Sequence, residues 1–105
     1  MVDKILTAAG LTYRRGRYIG KADAYAVYMD DLTTMGPDGR PLGLVRHDAT
    51  VELYVTSSDG VLEAALEEAI AAEGLQFEKQ DRYWLQAEQC YQVVYDFTFF
   101  EKRRA

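Results

Sequence analysis

The fold of this chain follows from residues 90–100, which run Cys90-Tyr-Gln-Val-Val-Tyr-Asp-Phe-Thr-Phe-Phe100. Every second residue from Tyr91 to Phe99 is valine, tyrosine or phenylalanine, so an extended backbone places all of them on one face. The residues between them include glutamine, aspartate and threonine. This period of two predicts the longest strand of the protein, with its apolar face in the centre of the core.

Further strands are predicted before this one. Residues 50–56 place Val51, Leu53 and Val55 on one face and mostly polar side chains on the other, and residues 25–29 also alternate. Residues 77–80 are predicted to form a strand, and residues 81–86 a turn region. Alternation of this kind is typical of half-buried strands in antiparallel sheets.

Two helices are predicted from apolar residues at helical spacing. The first covers residues 2–9 and ends at Gly10, and the second is capped by Ser58 or Asp59 and ends at Gly74. The apolar stripe of the second helix comprises Leu62, Ala65, Leu66, Ala69 and Ile70. Its glutamates are expected to face water: Glu63, Glu67, Glu68 and Glu73. Both glycines precede a leucine, which we interpret as a shared helix ending rather than a duplication.

The order of these elements is helix, strands, helix, strands. Without regular strand–helix–strand alternation, this order favours an α+β fold, with both helices on one face of an antiparallel sheet of about four or five strands. The 105 residues form one domain, residues 1–105, because this length accommodates a single core.

A long hairpin-like arm is predicted over residues 30–44. Its centre, Gly36-Pro37-Asp38-Gly39, has the residues of a tight turn. The flanks, residues 32–35 and 40–45, could pair as two strands, and the alternative is a disordered loop. Connections this long in a small domain are usually functional or mobile.

The composition excludes several classes of protein. A formal net charge of −5 argues against a protein that mainly grips nucleic acid, and a single cysteine, Cys90, excludes an internal disulfide. Arg14, Arg15 and Arg17 could still form a local phosphate-binding patch, although a solvated loop is the simpler interpretation. Apolar runs are only a few residues long, so neither a secretory signal nor a membrane span is expected.

The residues that could carry catalysis are few. The one histidine, His47, adjoins Asp48, and no serine lies in a recognisable nucleophile turn. We therefore predict no catalytic residues, no cofactor and no metal site. The pairs Asp30-Asp31 and His47-Asp48 are expected at strand ends, and an enzyme would require His47 beside Asp30, Asp31 or Cys90 in a cleft. Cys90 falls opposite the apolar face and is expected to be partly exposed.

Aromatic residues are more prominent than catalytic ones. Tyr28, Tyr54, Val94 and Phe100 fall outside the predicted core face, among threonine, glutamate, glutamine and aspartate. Tyrosine combined with a few apolar anchors is typical of protein interfaces. The alternative is that these aromatic residues are scattered over the surface or lie under the arm.

Several segments together resemble a known group of proteins. These are Tyr25-Ala26-Val27-Tyr28, Val51-Glu52-Leu53-Tyr54, Leu62-Glu63 with Leu66-Glu67, Gly74 with Phe77-Glu78-Lys79, and Glu88-x-x-Tyr91-Gln92-Val93-Val94-Tyr95. They resemble small structural proteins from the head-to-tail gene cassette of long-tailed bacteriophages and prophages, in particular tail terminator (tail-completion) proteins. The region around residues 14–21 is more basic than this group leads us to expect.

The resemblance implies a virion protein without enzymatic activity, assembled in the host cytoplasm. Tail terminators form a hexameric ring at the head-proximal end of the tail, so the implied partners are identical subunits, the major tail tube protein and a head-completion or connector protein. DNA would pass through without specific binding, and no membrane is involved. The alternatives are a head-closure or head–tail joining protein and, from another class, a nucleic-acid-binding regulator using Arg14, Arg15 and Arg17.

A closed ring joins two different surfaces of neighbouring subunits. We expect Met35 and Leu42 of the arm on one side, and Tyr28, Tyr54 or Phe100 on the other. Charged residues could add a second contact, pairing Arg14, Arg15 and Arg17 with Glu63, Glu67 and Glu68 of the next subunit. The expected channel-facing residues are Asp30, Asp31 and Asp38. For both charge groups the alternative is simple solvation.

Overall fold

A computed structural model describes residues 1–15, 24–35, 44–57 and 60–102. It contains two helices, α1 (Val2–Ala8) and α2 (Val61–Ala72). The strands are β1 (Tyr13–Arg15), β2 (Ala24–Met35), β3 (Leu44–Val55), β4 (Glu78–Lys79), β5 (Tyr83–Leu85) and β6 (Cys90–Lys102). The predicted α+β class with two helices is confirmed, and β6 is the longest strand, as its alternation predicts.

The sheet has six strands and is mixed rather than antiparallel throughout. Its order is β1-β2-β3-β6-β4, and β5 also pairs with β6. β1 runs parallel to β2, whereas every other pair is antiparallel. The expectation of four or five antiparallel strands therefore differs from the structure. Two strands account for this difference: β1, and β5, which occupies part of the predicted turn region.

One face of the sheet packs against both helices, and we call it the helix face. Val51 and Leu53 of β3, Val93 and Tyr95 of β6, and Ala26 of β2 are fully buried there. The helices contribute four fully or almost fully buried side chains to the same cluster: Ile5, Leu6, Leu66 and Ile70. These buried positions are the ones that the alternation and the helical spacing predict, so the predicted core is confirmed. Burial of this apolar surface is the main favourable term in folding.

The two helices end in the same way. Gly10 and Gly74 both have a φ of 74°, a left-handed conformation that glycine adopts without steric cost. The amide of Leu11 donates to the Leu6 carbonyl at 3.1 Å, and the amide of Leu75 donates to the Ile70 carbonyl at 3.4 Å. Both are Schellman endings, so the two Gly-Leu pairs do mark the same kind of helix ending.

The start of α2 differs from the prediction. Its N-cap is Gly60, with a φ of 76° and no capping bond from a side chain. Ser58 and Asp59, the predicted caps, lie outside the described residues.

Strands β2, β3 and β6 extend past the part of the sheet that the helices contact. Two side-chain hydrogen bonds to the helices mark the end of that part. Tyr28 donates to Asp3 of α1 at 2.7 Å, and Tyr95 donates to Glu67 of α2 at 2.9 Å. Beyond this level the pairing continues to Met35 opposite Leu44 and to Leu44 opposite Lys102. We call this part, residues 29–35, 44–50 and 96–102, the distal extension.

The distal extension contains the described part of the predicted arm, in which Met35 pairs with Leu44 and Thr34 with Val45, whereas residues 40–43 of the second predicted flank lie outside the described residues. Gly36, Pro37, Asp38, Gly39 and Leu42 lie outside the described residues. The pairs Asp30-Asp31 and His47-Asp48 lie inside β2 and β3, so the prediction that they mark strand ends is wrong. Asp30 is bonded to His47 and Asp48 to Thr98 across the strands, whereas Asp31 is exposed.

Neither helix in the described part of the chain is long and apolar enough to span a membrane.

Candidate functional site

The face of the sheet opposite the helices, which we call the open face, begins with two stacked tyrosines. The rings of Tyr25 and Tyr54 lie 4.8 Å apart between centroids, at 18°. Gln92 Nε2 donates to Tyr54 Oη at 3.0 Å, and Tyr54 Oη donates to Glu52 Oε2 at 2.8 Å. Burial, followed by the hydrogen bond to Glu52, raises the pKa of Tyr54 to about 12. The tyrosine hydroxyl is therefore a neutral hydrogen-bonding group in an aromatic patch.

Tyr28 was predicted to share this face with Tyr54, and that prediction is wrong. Tyr28 stands opposite Val51 in the register, so its ring lies on the helix face. Its hydroxyl donates to Asp3, which ties α1 to β2. Tyr25 takes the expected place beside Tyr54. Alternation along one strand separates two faces but does not say which of them is covered.

Polar pairs across the strands continue the open face into the distal extension. Thr50 donates to Asp96 at 2.7 Å, and Thr98 donates to Asp48 at 2.8 Å. Arg46 Nε also donates to Asp48, at 3.1 Å. The bond from Thr98 and the neighbouring Arg46 hold the pKa of the Asp48 carboxyl below its usual value, although desolvation opposes them. The Asp48 carboxyl is thus ionised at neutral pH, and its hydrogen bonds fix it in position.

An open cleft of about 660 Å³ adjoins these pairs. It is bordered by residues 74–78, which follow α2, and by neighbouring positions of β3 and β6. Its acidic lining residues are Asp31, Asp48, Glu78 and Asp96. Among the described residues, no group of three histidine, cysteine, aspartate or glutamate side chains is arranged to hold a metal ion. The cleft is an acidic surface feature that suits a basic or polar neighbour.

His47 lies on the helix face of the distal extension, between two carboxylates. Its Nδ1 is 2.8 Å from Asp30 Oδ2, and its Nε2 is 2.8 Å from Glu101 Oε1. The ring stacks on Phe99 with centroids 4.4 Å apart and is only 7% exposed. Both ring nitrogens are therefore engaged by carboxylates of the same chain. The three residues join β2, β3 and β6 and act as a polar clamp.

The sequence analysis set one condition for an enzyme, which was His47 beside Asp30, Asp31 or Cys90 in a cleft. His47 does lie beside Asp30, but neither residue lines the cleft described above. Glu101, which occupies the second nitrogen, was not singled out from the sequence. Nothing in local spacing indicates this cluster, since Glu101 is 54 residues from His47 and the contact depends on strand register.

The glutamates of α2 do not all face water. Glu63 is 3% exposed and forms ion pairs with Lys79 at 3.2 Å and with Arg82. Glu67 accepts hydrogen bonds from Tyr95 and Lys79. Burial, followed by the bond to Glu67, raises the pKa of Tyr95. The prediction is therefore wrong for Glu63, because the segment after α2 returns two cations to that side of the helix.

The remaining candidate residues are distributed as follows. Glu68 and Arg14 are exposed, as is Asp31, whereas the predicted channel-facing Asp30 is bonded to His47. Phe100 is exposed at 57%. The side chains of Arg15 and Met35, and all of Arg17, Asp38 and Leu42, lie outside the described residues. Their proposed roles at an interface or a channel stay predictions.

Cys90 is buried, so the expectation of partial exposure is wrong. Strand β5 pairs with the start of β6 and places Leu85 opposite Cys90. Burial, together with the charge of Glu88, raises the pKa of the Cys90 thiol. A buried thiol with a raised pKa is unreactive, which favours a packing role.

Large apolar side chains are exposed at both ends of the sheet. Met29, Leu32 and Phe100 are exposed on the distal extension. Val61, Tyr83 and Trp84 are exposed at the opposite end, where Trp84 packs edge-on against Tyr91 with centroids 4.8 Å apart. The second group lies at β5 and the start of α2, and sequence analysis did not single it out.

Comparison with known proteins adds no identification: no protein-family model matches this sequence, and no curated protein matches it significantly.

Proposed function

We propose that this chain is a structural protein of the bacteriophage virion, a tail terminator. Six identical subunits form a ring at the head-proximal end of the tail, contact the major tail tube protein and join the tail to the connector of the head. DNA passes through the ring without specific binding. The resemblance in residues 25–28, 51–54 and 88–95 motivates the assignment to the phage cassette.

The observation that carries the proposal is the distal extension with its exposed apolar side chains. Met29, Leu32 and Phe100 are 47%, 51% and 57% exposed, on strands that continue beyond the helices. Met29 and Phe100 lie on the open face and Leu32 on the helix face, so both faces of the distal extension offer apolar side chains to a neighbouring subunit. At the opposite end, Val61, Tyr83 and Trp84 offer a second, different surface. A closed ring needs two different surfaces of this kind.

The charged groups support the same proposal. The open face and its cleft carry Asp31, Asp48, Glu52 and Asp96, and the net charge of the chain is −5. A lumen lined by carboxylates would not retain a passing genome through phosphate contacts. The engagement of both nitrogens of His47 supports a role in assembly rather than catalysis.

Deletion of residues 33–42 tests the proposal. We expect the shortened chain to keep its helices and its melting transition, because the buried cluster lies outside the deleted residues. It should no longer form the ring, since the deletion removes the outer part of the arm. Light scattering measures the mass, and circular dichroism measures folding. The undeleted chain, measured at the same concentration, is the control. A folded deletion variant with the mass of the full ring would contradict the proposed role of the arm.

A further inference from the structure

The polar clamp needs more hydrogen-bond donors than a neutral histidine has. His47 Nδ1 lies 3.0 and 2.8 Å from the two carboxylate oxygens of Asp30, and His47 Nε2 lies 2.8 Å from Glu101 Oε1. An ionised carboxylate only accepts hydrogen bonds, whereas a neutral imidazole has one N–H and one lone pair. Carboxyl groups ordinarily ionise at a lower pH than histidine, so the extra proton belongs on the ring. The geometry of the clamp therefore fits an imidazolium with a proton on each nitrogen.

The surroundings of the ring also favour its charged form. His47 is 7% exposed, and burial by itself favours the neutral ring. The two carboxylates at 2.8 Å oppose this effect, because a nearby opposite charge stabilises the charged form. The ring stacks on Phe99 with centroids 4.4 Å apart, a distance at which the face of an aromatic ring attracts a cation. Three contacts thus offset the cost of burying the charge.

Charged side chains face the ring from both neighbouring strands. On the helix face of the distal extension, the described charged residues besides His47 are Asp30 of β2 and Glu101 of β6. The helices place Asp3 and Glu67 against this face, where both accept hydrogen bonds from tyrosine hydroxyls. The other charged residues of the distal extension point to the open face: Asp31, Arg46, Asp48, Asp96 and Lys102. The ring proton is therefore held between carboxylates of two different strands.

We infer that the polar clamp is a proton-operated lock on the distal extension. With a proton on each nitrogen, His47 holds β2 through Asp30 and β6 through Glu101. When the ring releases one proton to the solvent, a single N–H remains and only one carboxylate stays bonded. The proton leaves Nε2, because the side chain of Glu101 is 43% exposed, whereas that of Asp30 is 17% exposed and contacts Nδ1 with both oxygens. The lock therefore opens on the β6 side as the pH rises.

Opening of the lock affects the strand end that carries an exposed apolar side chain. Phe99 packs on the imidazole ring, and Phe100, the next residue, is 57% exposed on the open face. Release of Glu101 from the ring leaves the end of β6 with one fewer side-chain contact to β3. In the proposed ring of subunits, this strand end belongs to a surface that a neighbour covers, so assembly weakens at alkaline pH. That consequence rests on the proposed function, whereas the lock itself does not.

Nuclear magnetic resonance of the untagged full chain tests the lock, because His47 is the one histidine of the sequence. Nitrogen-15 chemical shifts distinguish an imidazolium from each of the two neutral tautomers. At about pH 7.5 an unperturbed histidine is about nine-tenths neutral, whereas we expect His47 to be an imidazolium. At higher pH we expect the tautomer that keeps its proton on Nδ1. A ring that is neutral at about pH 7.5, or that keeps its proton on Nε2, would overturn the inference.

Amide hydrogen exchange measures the effect of the lock on the strand. Between about pH 6 and about pH 9, we expect the protection of residues 97–101, corrected for the intrinsic exchange rate, to fall about tenfold. A loss of this size corresponds to one hydrogen bond to a charged group. Residues 91–95 of the same strand belong to the buried cluster or pack against it and serve as the internal reference. An equal loss in both ranges, or no loss in either, would contradict a lock on the distal extension.

Matched substitutions identify the group that responds. Glu101→Gln removes the charge beside Nε2, so residues 97–101 should already be less protected at about pH 6 and should show no further loss at about pH 9. Asp31→Asn is the control, because it changes the net charge equally but alters an exposed side chain on the open face. This control should keep the pH dependence of the native chain. Retention of the pH dependence by Glu101→Gln would overturn the lock.

Light scattering at the same two pH values separates the lock from the proposed function. The native chain should contain a smaller share of ring at about pH 9 than at about pH 6, and Glu101→Gln should lose this difference. A chain that shows the imidazolium and the pH-dependent protection but forms no ring, alone or with the tail tube protein, would support the lock and contradict the proposed function.

Discussion

Replacing Leu66 with alanine is expected to lower the free energy of unfolding by about 2–5 kcal/mol. Leu66 is fully buried and lies in the cluster that joins α2 to the sheet. The substitution removes apolar contacts and leaves a cavity, while alanine keeps the helix propensity high. Denaturant unfolding followed by circular dichroism measures the change.

Val61→Ala is the matched control for this prediction. Val61 also belongs to α2 but is 64% exposed, so the same kind of truncation should change stability by less than about 0.5 kcal/mol. An unchanged unfolding midpoint for Leu66→Ala would mean that α2 does not pack on the sheet through this face.

The second large effect is expected at Glu63. Glu63→Ala removes a buried carboxylate that pairs with both Lys79 and Arg82, and we expect a loss of about 1–3 kcal/mol in stability. Lys79 and Arg82 are each about one third exposed, at 35% and 30% of their side chains, so both can regain water. That hydration limits the loss.

Glu68→Ala separates burial from charge. Glu68 lies on the same helix but is exposed, so its substitution should change stability by less than about 0.5 kcal/mol. The two variants change the net charge equally and differ in the surroundings of the carboxylate. Equal stability of both variants would show that the ion pairs of Glu63 contribute nothing to the fold.

The elements that sequence analysis predicted correctly are those with a strong local signal. The alternation of β6 and the stripe of α2 repeat over many residues, and the Gly-Leu pairs at Gly10 and Gly74 specify a helix ending on their own. β1 and β5 have three residues each, which is too few to establish a period of two. Their existence depends on β2 and β6 as partners rather than on their own sequence.

The features of the candidate site that sequence analysis missed depend on long-range register. Tyr28 lies on the helix face because it stands opposite Val51, and Tyr25 lies on the open face because it stands opposite Tyr54. Glu63 is buried because the chain returns Lys79 and Arg82 to its side after the helix ends. The clamp of Asp30, His47 and Glu101 requires three strands in one register. A single strand contains no information about any of these contacts.

The most direct test of the proposed function is the mass of the purified chain by light scattering, with and without the major tail tube protein. The account predicts a species of six copies, formed either by the chain alone or on the end of the tube. Binding to a connector protein instead of the tube would favour a head-closure role. A chain that remains monomeric alone and binds no tube protein would contradict the account.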